Sequence, residues 1–300
     1  MTLPKIPLIM LPSIRCVCLA ALGIASSLEA QSERSLPTAA EVIERIKQNV
    51  GVPWPESTVD AFKAGDPNAR VTGIAVTMMA TLDVLERAAA RGDNLIITHE
   101  PTFYSHLDST AGLAGENDSV YAAKAAFIRK HGLIIWRFHD TWHQRKPDGI
   151  LTGVVKALHW EAFQQSGNPK VFDLPPTTLG ALATTIRNRL GPRALRFVGD
   201  PSVRISRVAL SPGFAGGDAN RRLFQGTGID ALIIGEAHEW ETIEYAADAI
   251  AAKQRKGLII IGHIPSEQAG MEEAARWLKT FVKDVRVDFV PTREPFAILR

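Results

Sequence analysis

Asn94-Leu95-Ile96-Ile97-Thr98-His99-Glu100-Pro101 decides the reading of this chain, because its construction recurs at three further places. Leu133-Ile134-Ile135-Trp136-Arg137-Phe138 runs into His139-Asp140, with His143 just beyond. Ala231-Leu232-Ile233-Ile234-Gly235 runs into Glu236, His238 and Glu239. Leu258-Ile259-Ile260-Ile261-Gly262 runs into His263, with Glu267 four residues on. Continuous apolar runs that follow helical stretches are the pattern of parallel strands buried on both faces. In open α/β sheets, ligands gather beyond the carboxyl ends of such strands. Several strands that deliver imidazoles and carboxylates to one edge build a metal site. The fold class expected is α/β, with two related α/β layers, mixed and largely parallel sheets, and the metal site at the C-terminal strand ends.

Working outward, Thr38-Ala39-Ala40-Glu41 is a capping-box pattern that opens a helix to about Asn49. Gly65-Asp66-Pro67 is a turn before a strand over Val71 to Thr77. Leu82, Leu85, Ala88 and Ala89 share one face of a helix over Thr81 to Arg91, and Ser119 to Lys130 is the next helix. Residues 153–208 differ in texture and form a middle lobe between metal-site halves at 70–150 and 209–300. There Pro175-Pro176-Thr177-Thr178 leads into a helix near Leu179 to Leu190, followed by strand-like pieces at Arg196-Phe197-Val198 and Val203 to Leu210. Ser211 to Gly217 is a glycine-rich bend before a helix near Asp218 to Gln225; lacking a following Lys-Ser/Thr, it is no P-loop. Val285 to Val290 and Phe296 to Leu299 are expected to close the fold as an antiparallel pair.

The bulk properties narrow the function. A formal net charge of +2, with 46% hydrophobic and 22% charged residues, describes an ordinary globular core. No Lys/Arg block or basic stripe points to nucleic acid. Residues 1–30 have the layout of a secretory signal: Lys5 and Arg15, the apolar centre Cys16 to Ala25, then small residues up to Ala30-Gln31, with Ala25 or Ser27 as other cut sites. The centre is too short for a membrane span. Both cysteines, Cys16 and Cys18, fall inside this leader, so the mature chain holds any metal through nitrogen and oxygen alone. The protein is expected to be exported, periplasmic or extracellular, with no membrane attachment after signal removal.

Each candidate residue has a bland alternative. His99 and Glu100 would point to opposite faces of a regular strand; they converge only because the chain turns at Pro101. In the cluster after the second strand, His143 is the preferred ligand and Asp140 the fallback, with His139 orienting a ligand or facing substrate. Ser266 reads as an N-cap, which puts Glu267 in a first helical turn where the dipole alone favours an acid. His263, ending the Ile-rich strand just upstream, raises Glu267 above that reading. Acids near Glu236 and Glu239 are likewise expected at a helix start, so these two are kept as groups that orient ligands or carry protons. His106, His131 and His159 read as structural.

Several of these segments together resemble the Nif-three-like family of dinuclear metal-binding proteins, also called GTP cyclohydrolase type-two homologues. They are Gly73-Ile74-Ala75-Val76-Thr77, Leu95-Ile96-Ile97-Thr98-His99-Glu100-Pro101, Phe138-His139, Gly235-Glu236 and Gly262-His263-Ile264-Pro265-Ser266-Glu267. The resemblance runs from about Glu41 to Ile298. It implies the ligands His99, Glu100, His143, His263 and Glu267. The family usually has a second His where this chain has Glu100, and an Asp where it has His143, so three imidazoles and two carboxylates are kept by exchange. Such a set suits two divalent ions, Zn, Fe, Mn or Co, about 3.5–4 Å apart. The resemblance also implies a ring-shaped homohexamer.

The expected function is an exported hydrolase that depends on a dinuclear centre and takes a small-molecule substrate. Hydroxide on the metal pair would be its nucleophile, and His139 or Glu239 a catalytic proton carrier. The rival classes are a non-catalytic metal-binding oligomeric scaffold and, for a cytoplasmic chain, a GTP cyclohydrolase-like activity.

Overall fold

The strands that carry the site form where the apolar runs predict them. In a computed structural model, which describes residues 1–2 and 36–299, they fall into two five-stranded sheets. The leader expected over residues 1–30 lies outside the described residues, apart from Met1 and Thr2. Among the described residues, no helix is long and apolar enough to cross a membrane.

The first half runs α1 (Ala39–Asn49), β1 (Phe62–Ala64), β2 (Ile74–Thr77), α2 (Leu82–Ala90), β3 (Leu95–Thr98), α3 (Ala111–Gly115), α4 (Ser119–Lys130), β4 (Ile134–Arg137), α5 (Asp140–Gln144) and α6 (Gly149–Leu158). Next come β5 (Val171–Thr178), α7 (Leu179–Leu190), β6 (Arg196–Val198), β7 (Arg204–Ser211), α8 (Gly217–Phe224), β8 (Ala231–Ile234), α9 (Glu244–Ala251), β9 (Gly257–Ile260), α10 (His263–Leu278) and β10 (Val287–Phe289). The first sheet has the order β1-β4-β3-β2-β10, parallel apart from β1. The second has the order β5-β7-β8-β9-β6, with parallel β7, β8 and β9 between antiparallel edges. Pro175 and Pro176, which donate no backbone hydrogen bond, are accommodated in edge strand β5 at a break in its register.

Every residue of β2, β3, β4, β8 and β9 is buried, which is why their sequences show no polar alternation. Their alternate residues face different cores. Ile97, Trp136, Ile233 and Ile259 join one cluster with α6, α7 and α10 between the sheets. Ile96 and Ile135 face α2 and α4 on the outside of the first sheet. Leu232 and Leu258 face α8 and α9 on the outside of the second. The segment 153–208 supplies most of α6, then β5, α7, β6 and much of β7, while β10 returns the end of the chain to the first sheet. Helices α6 and α10 approach backbone to backbone, because a Cβ on Gly153 or Gly270 would overlap the main chain of the other helix.

Three local expectations are corrected. The strand expected from Val71 begins at Ile74, since the Val71 and Thr72 amides donate to the Pro37 carbonyl and the Asn94 side chain. Helix α10 starts at His263, with Gly262 (φ 92°) as its N-cap, and not at Ser266. The Ser266 hydroxyl lies inside the first turn, donating to the His263 carbonyl and accepting the Gly213 amide at 2.9 Å. The closing antiparallel pair does not form. Val287–Phe289 pairs in parallel with β2, and after the Val290 amide reaches Val76 the chain leaves the sheet at Pro291, so Phe296 and Leu299 stay exposed.

Candidate metal centre

His99 leaves β3 with its backbone amide still donating to Thr77, and its side chain is fully buried. Its Nδ1 lies 3.0 Å from the Phe138 carbonyl. A carbonyl only accepts, so Nδ1 carries the proton and Nε2 presents a bare lone pair. That Nε2 has no hydrogen-bond partner and faces Glu267 Oε2 at 3.6 Å. Leaving a buried acceptor unsatisfied costs about 1–3 kcal/mol.

The other imidazoles repeat the device. Beyond β4, the Asp60 carboxylate accepts the backbone amides of His139, Asp140 and Thr141 at 2.6–2.9 Å, fixing the start of α5. His139 Nδ1 donates to Asp140 Oδ1 at 2.9 Å, and the second Asp140 oxygen accepts from Thr58 and Val59. His143 Nδ1 donates to Asp148 Oδ2 at 3.1 Å, while Asp148 Oδ1 caps α6 through the Leu151 amide. His263 Nδ1 donates to Glu236 Oε1 at 3.0 Å. Histidines that bind metals are oriented in this way, with an acceptor on the far nitrogen.

Three of the Nε2 atoms, those of His99, His139 and His263, converge on two carboxylates. His263 Nε2 lies 3.1 Å from Glu267 Oε2 and 3.3 Å from Glu100 Oε1, and His139 Nε2 lies 3.7 Å from the same Glu100 oxygen. Two groups have metal-binding geometry, with one ligand atom per residue and all atoms within 4.8 Å: His99, His139 and His143, and His99, Glu100 and Glu267. Their spacing follows from local structure. His263 and Glu267 share a helix face at i and i+4, and Glu267 is seated against Gly213, where a Cβ would overlap its carboxylate.

Burial, with His143 and His139 as neighbours, lowers the His99 pKa well below the ordinary range and keeps the ring neutral. Burial works against protonation of His263 as well, but hydrogen bonds to Glu100, Glu236 and Glu267 outweigh it and push the pKa up to about 12. A cation entering between those carboxylates takes the place of that proton. The donor set, all nitrogen and oxygen with one orphaned buried lone pair, fits a divalent metal.

All five residues expected as ligands (His99, Glu100, His143, His263 and Glu267) are brought together, and His139 joins them with an open Nε2. Asp140, the alternative to His143, uses both oxygens to hold His139 and the 58–59 backbone. Glu239 lies outside the cluster, because the π-helical turn over Glu239–Ile243 turns it to solvent and onto Arg196 at 2.9 Å. The carboxylate that follows β8 into the site is Glu236. Sequence reading missed Asp60, Asp148 and Arg137. Asp148 is legible as an N-cap before Gly149, and Arg137 as a charge inside an apolar run, whereas nothing local marks Asp60. Beside His263 and Glu236 opens a cavity of ≈ 500 Å³, also walled by Met79, Arg196, Ile264 and Phe296.

Fold and site together define an α/β protein with a His/Glu cluster able to bind metal at its strand ends. The chain belongs to the Duf34/NIF3 (NGG1p interacting factor 3) family, which it matches over residues 55–295, a span containing every residue of the cluster. It is 23% identical over 251 aligned residues to the "GTP cyclohydrolase 1 type 2 homolog" of Clostridium perfringens, covering 78% of this chain and 89% of that one. Among solved structures, hypothetical protein SA1388 of Staphylococcus aureus superposes with a TM-score of 0.69 at 18% identity, covering 88% of this chain and 100% of that one. The Bacillus cereus protein related to NIF3 gives a TM-score of 0.67 at 15% identity over 88% of this chain and 99% of that one.

Proposed function

We propose that this protein is an exported hydrolase dependent on two divalent metal ions and assembled as a homohexamer. The observation that carries the reading is the convergence of the Nε2 atoms of His99, His139 and His263, each with its Nδ1 anchored, on Glu100 and Glu267, with His143 grouped beside His99 and His139. His99, His143, His263, Glu100 and Glu267 would hold the ions, with His139 beside them. Bound there, the ions supply Lewis acidity towards water and towards a carbonyl, phosphoryl or amidine group. The protein's own part is orientation and proton transfer. Asp140 and Asp148 fix the tautomers of His139 and His143. Glu236 holds the Nδ1 proton of His263, which keeps its carboxyl below the usual range, and half of its side chain is exposed at the cavity. An anion in that position can accept a proton from an incoming nucleophile.

The relative's printed name, GTP cyclohydrolase 1 type 2 homolog, denotes a hydrolytic ring opening, which falls within the same class of reaction. The test is metal analysis of the purified protein alongside His99→Ala and Glu267→Ala, followed by assays with GTP, an aryl phosphate and an aryl amide. Both variants should lose metal and turnover together. Unchanged metal content in both would end the proposal, and full metal content without turnover of any substrate would favour the scaffold. Export predicts a mature N-terminus near Gln31, which intact Met1 in a soluble cytoplasmic product would refute. A hexamer is checked by sedimentation velocity.

A further inference from the structure

Arg137 is the last residue of β4, opposite Thr98 in the parallel register, and its guanidinium is fully buried. A buried guanidinium is a buried charge, and such a charge needs anions close by. Nε donates to the His99 carbonyl at 2.9 Å and Nη1 to the His106 carbonyl, which clamps the guanidinium across both ends of the loop that carries Glu100. Nη1 also lies 3.8 Å from Asp108 Oδ2. Nη2 makes no hydrogen bond and lies 3.5 Å from Glu100 Oε2. The other Glu100 oxygen is the one that faces His263 and His139.

We infer that Arg137 is a positioning residue which reserves one oxygen of Glu100 and so presents the carboxylate to the metal site through the other oxygen alone. The inference rests on the metal-binding reading above. Arg137 cannot meet substrate, since it has no exposed surface. Its effect on the site passes through Glu100, and the flat, forked guanidinium is what allows two backbone carbonyls and a carboxylate to be engaged at once. Lysine retains the charge without the fork.

The test is Co(II) titration, followed by visible absorption, of wild type, Arg137→Lys, Glu100→Gln and the double variant. Thermal unfolding of each metal-free protein establishes that it is folded. Partners that orient metal ligands typically contribute about 10–100-fold to affinity. Arg137→Lys should therefore weaken Co(II) binding by about that factor, and Glu100→Gln by at least as much. The double variant should bind no more weakly than Glu100→Gln alone. Wild-type Co(II) constants in Arg137→Lys would overturn the inference and leave the metal site standing. So would a loss as large in the Glu100→Gln background as in wild type, because Arg137 would then act through the loop between His99 and His106. Failure of wild type itself to take up Co(II) would overturn both the inference and the metal reading.

Discussion

Of the two acids and two histidines in and around the first turns of α5 and α6, each is given a task by what its second polar atom touches. His143 has Nδ1 on Asp148 and Nε2 free among the other imidazoles, whereas both oxygens of Asp140 are already engaged. His143→Ala should therefore lose more metal than Asp140→Ala, by at least about tenfold in affinity, as the latter only loosens His139. The reverse order in an equilibrium chelator competition would transfer the ligand role to Asp140. A second residue-scale test concerns the loop that carries Glu100. Lys124 donates to the Thr102 carbonyl at 2.6 Å, and burial, resisted by Asp108, depresses its pKa from 10.5 to about 8. The unfolded chain keeps that proton to about 10.4, so between pH 8 and 10 it binds more protons than the folded chain does. Stability should rise through that window by up to about 3 kcal/mol, the penalty being constant below it. Lys124→Met should lack this rise in urea denaturation on either side of the window; parallel pH dependence in both proteins would contradict it.

At the scale of elements, the site depends on how two strand ends and one helix start fit together. Gly213 has a φ of 65°, its amide is held by Ser266, and its missing side chain leaves room for the Glu267 carboxylate. Gly213→Ala should strain the left-handed backbone by about 1–2 kcal/mol and displace Glu267, so that metal binding falls together with stability. An unchanged metal affinity would show that Glu267 does not depend on this seat. The same place shows what a sequence does and does not disclose. Strands β3, β4, β8 and β9 were legible because strands buried on both faces are written as continuous apolar runs, and their ends point to His99, His139, Glu236 and His263. The start of α10 was not legible, because the Ser266 hydroxyl that resembles a cap is taken by Gly213, 53 residues away in the chain. Nor could spacing choose between Glu236 and Glu239, since both sit before a helix and a π-helical turn decides which one faces inward. Asp60 acts across 79 residues on the His139 amide, a tertiary contact with no local signature. The closing strand was placed correctly but given the wrong partner for a related reason, as β2, with which it pairs, lies more than two hundred residues earlier.

For the whole molecule, the cluster is a tie between sheets. His99 and Glu100 follow β3 and His139 and His143 follow β4, all from the first sheet, whereas Glu236 follows β8 and His263 and Glu267 follow β9, from the second. Without a cation, the tie is made by a protonated His263 between carboxylates, and the His99 nitrogen, which touches no donor, adds nothing to it. A metal that binds this arrangement and not the unfolded chain must stabilise the folded state by mass action, about 2.7 kcal/mol at one hundred times its dissociation constant. For a domain of this size that corresponds to a few degrees in Tm. Chelator treatment should lower the wild-type Tm by that amount, and added Zn, Mn or Co should restore it. His99→Ala should start near the chelated value and respond to neither treatment, because its lost ligand removes the linkage as well as the site. If chelation strips the metal and leaves the wild-type Tm unchanged, the unfolded chain binds the metal as tightly as the folded one, and the cluster is not a site made by the meeting of the two sheets.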